Sequence, residues 1–205
     1  MLRRKTRIET IGHAGTLDPF AAGVMVMLIG RPYTRLSNQF LSADKQYRAT
    51  IQLGQTTDTF DIDGRILNRS DHIPSLSDLE QALVSFQGEC LQIPPMFSAK
   101  KIGGQKLYDL ARKGKTIDRK PVPVRLCTTL IHYAYPLIEI DIACSKGTYI
   151  RTLAHDLGAM LGCGAFLSAL TRTRSGTFTL SDCIAQESLK DPSFNITPFL
   201  RKAIC

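Results

Sequence analysis

The run Leu137-Ile138-Glu139-Ile140-Asp141-Ile142-Ala143-Cys144-Ser145 alternates isoleucine with carboxylate. Successive side chains of a strand point to opposite faces, so this pattern describes a strand with one buried face and one wet face. Pro136 marks a turn just before it, and Val122 to Tyr135 reads as the antiparallel partner. Antiparallel sheets commonly keep one face in water, whereas parallel sheets bury both. The central sheet is therefore expected to be largely antiparallel.

Working outward, Lys45 to Leu53 reads as another strand, and Val24 to Ile29 as a buried strand followed by a short helix ending near Leu41. Ser77 with Glu80 makes a capping box, after which Leu79, Ala82, Leu83 and Phe86 recur on one helical face. A second amphipathic helix carries Ile150, Leu153, Ala154, Leu157 and Leu161 before Gly162 stops it. Ala165 to Thr171 and Thr177 to Leu180 read as short strands, and the residues after 185 as a short helix or tail. Between Ile93 and Gly114 come Pro94-Pro95, a small strand, Gly103-Gly104 and a short basic helix, which together resemble a protruding insertion. The expected fold is α+β: a mixed, largely antiparallel central sheet with flanking helices and a basic hairpin/helix insertion.

With 205 residues, 43% of them hydrophobic and 21% charged, the chain is long enough for one sizeable globular domain. Its longest apolar run, Phe20 to Ile29, falls far short of the roughly 20 residues of a membrane span. Met1 to Glu9 is basic, but no apolar segment and small-residue cleavage site follow it, so the chain reads as cytoplasmic. Six cysteines (Cys90, Cys127, Cys144, Cys163, Cys183 and Cys205) lack CxxC spacing and read as half-buried core thiols. No GxGxxG or GxxxxGK[ST] phosphate loop is present, so no nucleotide cofactor is indicated.

The formal charge of +8 is concentrated. From Lys100 to Arg125 there are nine basic residues against Asp109 and Asp118, and Arg3, Arg4, Lys5 and Arg7 add to the amino terminus. A polyanionic partner is implied, with nucleic acid the natural candidate; the alternative is a solvated charged hairpin.

The sharpest chemical feature is Gly12-His13-Ala14-Gly15-Thr16-Leu17-Asp18-Pro19-Phe20-Ala21-Ala22-Gly23. By itself an Asp-Pro step in a glycine-rich loop is a turn. The whole run, however, resembles the G-H-x-G-x-L-D-P signature of the TruB family of tRNA pseudouridine synthases. Asp44-Lys45-Gln46-Tyr47-Arg48 resembles that family's D-K-x-Y motif, and Leu53 to Asp63-Gly64 its L-G-x-x-T-D-T-x-D-x-x-G segment. Pro94-Pro95-Met96-Phe97-Ser98-Ala99 resembles the start of its insertion, Ser145 to Arg151 its S-K-G-T-Y-I-R motif, and Gly164 to Leu170 with Arg172 and Arg174 its last active-site strand.

The resemblance implies a catalytic domain over residues 1–185, with an insertion at about 94–120 that grips the T arm of tRNA. The family's amino-terminal strand and K-P-x-G segment are missing from this sequence. Residues 186–205 are expected to form a tail or helix rather than a full carboxy-terminal RNA-binding domain. By the same resemblance Asp18 is the essential carboxylate, Arg151 its charge partner, and Tyr47 the aromatic that stacks on the target uracil. Tyr149 and Leu170 are implied as pocket walls, His13 as the residue that enters the loop when the nucleotide flips out, and Lys100, Lys101 and Lys106 as contacts to RNA. The expected activity is isomerisation of the T-loop uridine at position 55 of tRNA by a monomer, with neither metal nor cofactor nor protein partner.

Two other readings stay open on the sequence. One is a tRNA-binding or tRNA-folding protein without catalysis. The other reads the cluster Asp58, Asp61 and Asp63-Gly64 as a metal site, with a magnesium phosphohydrolase built on Asp61 and Asp63, although no Glu closes a calcium loop and no apolar strand leads directly into Asp61.

Overall fold

A computed structural model describes residues 1–98 and 100–202, leaving aside the side chains of Lys101, Ile102 and Lys106. In chain order the strands are β1 (Ile11–His13), β2 (Ala22–Gly23), β3 (Met27–Ile29), β4 (Lys45–Leu53), β5 (Gln55–Thr57), β6 (Ile66–Arg69), β7 (Gly88–Gln92), β8 (Lys101–Ile102), β9 (Gln105–Lys106), β10 (Val122–Ala134), β11 (Leu137–Cys144), β12 (Ala165–Ser175) and β13 (Phe178–Thr179). The helices are α1 (Leu2–Thr6), α2 (Arg31–Thr34), α3 (Ser37–Leu41), α4 (Leu76–Val84), α5 (Leu107–Arg112), α6 (Ile150–Met160) and α7 (Gln186–Lys190).

The main sheet runs β13-β12-β4-β11-β10-β7, antiparallel throughout, and β2 joins it as a parallel partner of β12. The isoleucine alternation of β11 works as expected: Ile138, Ile140 and Ile142 are buried, while Glu139 and Asp141 lie on the wetter face. There Arg48 of β4 makes two 2.8 Å hydrogen bonds to Asp141, its cross-strand neighbour. That bonding holds the Asp141 carboxyl below its ordinary pKa.

Helices α4 and α6 cover the apolar face. Leu153 and Leu157 of α6 and Leu79 of α4 are fully buried in one cluster with Ile51, Ile140 and Leu167. α6 lies so close to β12 that a side chain at Gly158 would sit 2.2 Å from the Ala165 amide nitrogen. Its start is tied to the edge strand: the Gln92 side-chain amide donates to the Tyr149 carbonyl at 2.9 Å and accepts from the Tyr149 amide at 2.7 Å.

Several local expectations are corrected. The capping box is Ser75 with Asp78, two residues before the expected Ser77 and Glu80, so α4 starts at Leu76. Pro74 stands just before that cap, and Ser77 lies exposed within the helix. Val24 to Ile29 is not one strand; β2 pairs with β12, β3 pairs with β1, and the chain turns between them. β12 continues past Thr171 to Ser175, bringing Arg172 and Arg174 into the sheet. Among the cysteines, Cys144 and Cys163 are buried and Cys90 and Cys183 partly so, but Cys127 is exposed on β10; Cys205 lies outside the described residues. The basic insertion is a hairpin, β8 with β9, followed by α5, whose Leu107 is buried. The carboxy-terminal segment returns to the amino terminus, where Lys5 donates to the carbonyls of Asp191 and Phe194.

Truncating Leu153 to alanine should cost about 2–5 kcal/mol of stability, because it is fully enclosed between α6 and the sheet. Equilibrium denaturation would measure it. Asp156, also on α6, has its pKa pushed up to about 6 by burial, and no ion pair among the described residues offsets this. A folded-state pKa above the unfolded value means the native protein binds the extra proton, so stability falls as pH rises from about 4 through about 6. Asp156→Asn should therefore raise the stability measured by denaturation at pH 7 but not at pH 4, by no more than ~1 kcal/mol after solvent screening.

Candidate active site

Arg151 is the second residue of α6, and its side chain is only 6% exposed. A guanidinium has five N–H donors in a fixed plane and tolerates burial only when its charge and donors are met. Here four hydrogen bonds and two carboxylates meet them. Nε donates to Asp18 Oδ2 at 2.9 Å and Nη2 to Asp18 Oδ1 at 3.1 Å, a bidentate pair. Nη2 also donates to the Phe97 carbonyl at 2.7 Å, and Nη1 to the Thr59 carbonyl at 3.1 Å. The remaining Nη1 direction faces Asp61 Oδ2 at 3.3 Å.

Three loops thus converge on one side chain. The Asp18 loop lies between β1 and β2, and its Ala21 amide closes a turn on the Asp18 carbonyl at 2.9 Å. The Thr59–Asp61 loop follows β5 and is pinned to β12 by bonds from the Ile62 amide to the Leu167 carbonyl and from the Leu167 amide to the Phe60 carbonyl. Phe60 has a left-handed backbone, φ 65°, and its ring stacks on His155 of α6 at 3.8 Å. The Phe97 carbonyl comes from the start of the insertion. Asp61 is nearly buried, and burial raises its pKa; bonds from Thr59 and the Asp63 amide and the charge of Arg151 oppose this, while the Asp18 charge adds to it.

The acidic cluster weighed above as a metal site is committed elsewhere. Asp61 faces Arg151, Asp58 accepts from the Arg65 amide at 2.8 Å, and no three His, Cys, Asp or Glu side chains among the described residues converge on a common point.

The other expected residues are distributed unevenly. Tyr47 sits half-buried on β4 with Asp18 and Arg172 as charged neighbours; burial raises its pKa and Arg172 opposes the shift. Leu170 is buried on β12 opposite Ala49, two residues along the same strand pair from Tyr47. Tyr149 occupies the N-cap position of α6, next to the residue before Arg151. His13 is exposed at the end of β1, opposite Met27, five residues before Asp18. Lys100 is half-buried in the insertion, where its carbonyl accepts from the Leu107 amide. Lys101 and Lys106 pair by their backbones across the β8–β9 hairpin, and their side chains lie outside the described residues.

The sequence named two residues of this centre without indicating their partners. Asp61 was visible only as part of an acidic run, and nothing in its spacing announces an arginine partner ninety residues away. Arg172 is 2% exposed, yet arginine is among the residues least expected inside a protein.

Comparison with known proteins defines the class: residues 3–150 match the model of the TruB family pseudouridylate synthase N-terminal domain, and residues 151–202 that of the tRNA pseudouridylate synthase B C-terminal domain. The chain belongs to the TruB family of pseudouridylate synthases. It is 55% identical to tRNA pseudouridine synthase B of Chlamydia pneumoniae over 196 residues, covering 96% of this chain and 83% of that protein. To the protein of the same name from Protochlamydia amoebophila it is 56% identical over 183 residues, 89% of this chain and 70% of the other. A chain in the crystal structure of a Cbf5-Nop10-Gar1 complex superposes with a TM-score of 0.70 at 26% identity, over 92% of this chain and 47% of that one. The present chain thus spans about half the length of that solved chain. The boundary between the two family models falls inside the folded unit, since residues from 151 onward supply both α6 and β12.

Arg151→Lys should keep the charge but lose the planar fork, lowering the rate by about 100-fold with little change in RNA affinity. Asp61→Asn, which removes only the more distant carboxylate, should cost about 10-fold. Single-turnover rates beside filter-binding affinities would check both.

Proposed function

We propose that this protein isomerises the T-loop uridine at position 55 of tRNA to pseudouridine, with Asp18 as the catalytic carboxylate. The observation that carries the reading is the bidentate Asp18–Arg151 pair with Tyr47 as a neighbour of the carboxylate. The reaction breaks the C1′–N1 bond, turns the uracil, joins C1′ to C5, and gives up the C5 proton while N1 takes one up, so the product is an isomer. A carboxylate beside the sugar can serve as nucleophile at C1′ or as base toward the sugar. Arg151 fixes the plane of that carboxylate and balances its charge, so the carboxylate need not reorganise during the reaction.

Tyr47 stacks against the flipped base, Tyr149 and Leu170 wall the pocket, and His13 fills the space that the nucleotide leaves in the loop. Lys100, Lys101 and Lys106, with the rest of the 94–120 insertion, grip the phosphates of the T stem. Residues 1–185 form the catalytic unit and 186–205 a tail; the protein acts as a monomer in the cytoplasm, without metal or cofactor. No helix among the described residues is long and apolar enough to cross a membrane.

The test is tritium release from tRNA labelled at C5 of its T-loop uridine. Wild-type protein should release tritium in excess EDTA, and Asp18→Asn should bind the same tRNA and release none. A rate abolished by EDTA would favour the phosphohydrolase-like reading of Asp61 and Asp63, and binding without release by wild type would favour the non-catalytic one.

A further inference from the structure

Arg172 is a buried charge that the proposed reaction leaves without a role. It is 2% exposed on β12, and no carboxylate among the described residues lies within ion-pair distance of it. Removing a cation from water without a counter-ion is costly, so such a residue is retained where its donors or its charge are used. Its donors are used on the Asp18 loop. Nε donates to the Val24 carbonyl at 2.6 Å, and Nη2 to the Gly15 carbonyl at 3.1 Å, with Met25 Sδ at 3.8 Å. Gly15 lies three residues before Asp18 and Val24 six after it, so one side chain joins both ends of the loop.

The backbone of the same residue reinforces the join. Its carbonyl accepts from the Val24 amide at 2.8 Å, and a side chain at Gly23 would stand 2.2 Å from that oxygen at φ 106°. Arg172 also pairs across the sheet with Tyr47, and its guanidinium is a charged neighbour of the Tyr47 side chain. Its charge has a use too. Asp18, Asp61 and Arg151 together carry one more negative than positive charge, and Arg172 brings the group to neutrality. The other buried amine nearby, Lys45, is pushed toward its neutral form by burial and then by Arg172 itself.

We propose that Arg172 is a positioning residue for the reaction: it ties the Asp18 loop at both ends to β12, holds the Tyr47 side chain beside it, and supplies the site's balancing charge. This rests on the isomerase reading above. A lysine in its place would keep the charge but could not reach Gly15 and Val24 together, and a methionine would keep only the volume.

The experiment compares wild type, Arg172→Lys and Arg172→Met in single-turnover tritium release, with tRNA affinity by filter binding and thermal melting on the same preparations. The expected result is a folded lysine variant slowed by about 10-fold and a methionine variant slowed by about 100-fold, each binding tRNA within about threefold of wild type. A residue that served stability alone would lower the melting temperature and leave the rate of the folded fraction unchanged, and that result would overturn the assignment. So would failure of both variants to fold, which would make Arg172 a scaffold residue. Wild-type turnover in the same assay separates the two ideas: its absence sinks the isomerase reading, whereas its presence with equal rates in all three proteins sinks only the role of Arg172.

Discussion

The geometry of this protein depends on one planar buried cation. Arg151 hydrogen-bonds the Asp18 carboxylate and the carbonyls of Thr59 and Phe97, and pairs by charge with the Asp61 carboxylate. Those acceptors come from three segments that share no local sequence contact. A flexible ammonium could satisfy one or two of them at a time; a rigid fork makes them simultaneous, so displacing any loop leaves a buried donor unpaired. The cost of burying the charge is thereby converted into mutual positioning of the loops.

What holds Arg151 in turn is ordinary packing. α6 is fixed along its length by Leu153 and Leu157 against the sheet, and at its start by the Gln92 amide on Tyr149. The chemistry-bearing groups sit on loops or at element ends, while the sheet and helix supply rigidity, the arrangement by which a site gains precision without sacrificing access. Arg172 does for the Asp18 loop from β12 what Arg151 does from α6, and the two arginines bracket it from different elements.

The separation between a neutral, well-packed body and a strongly basic insertion follows the same logic. Phosphate attraction acts over a Debye length and needs only clustered charge, so it can be carried by a hairpin with little core of its own. The insertion nevertheless meets the site directly, because the Phe97 carbonyl at its base accepts a hydrogen bond from Arg151.

Much of this was legible in the sequence, for stated reasons. The alternation over Leu137–Cys144, the spacing of Leu153 and Leu157 and the glycine-bounded loop around Asp18 are short-range patterns, and each produced the element it announced. The cap of α4 was misplaced by two residues because Ser75 and Ser77 both stand in a capping-box spacing, and the backbone entering from Pro74 selects between them. The sequence by itself determined the antiparallel sheet, the amphipathic helices and, through a family resemblance, that Asp18 and Arg151 belong together. Only the tertiary structure decided that Asp61 faces Arg151 and that Arg172 lies buried without a carboxylate partner. A hydrophobic period is written within a dozen residues, but which acceptor meets a given donor is set by packing between segments 54 to 157 residues apart.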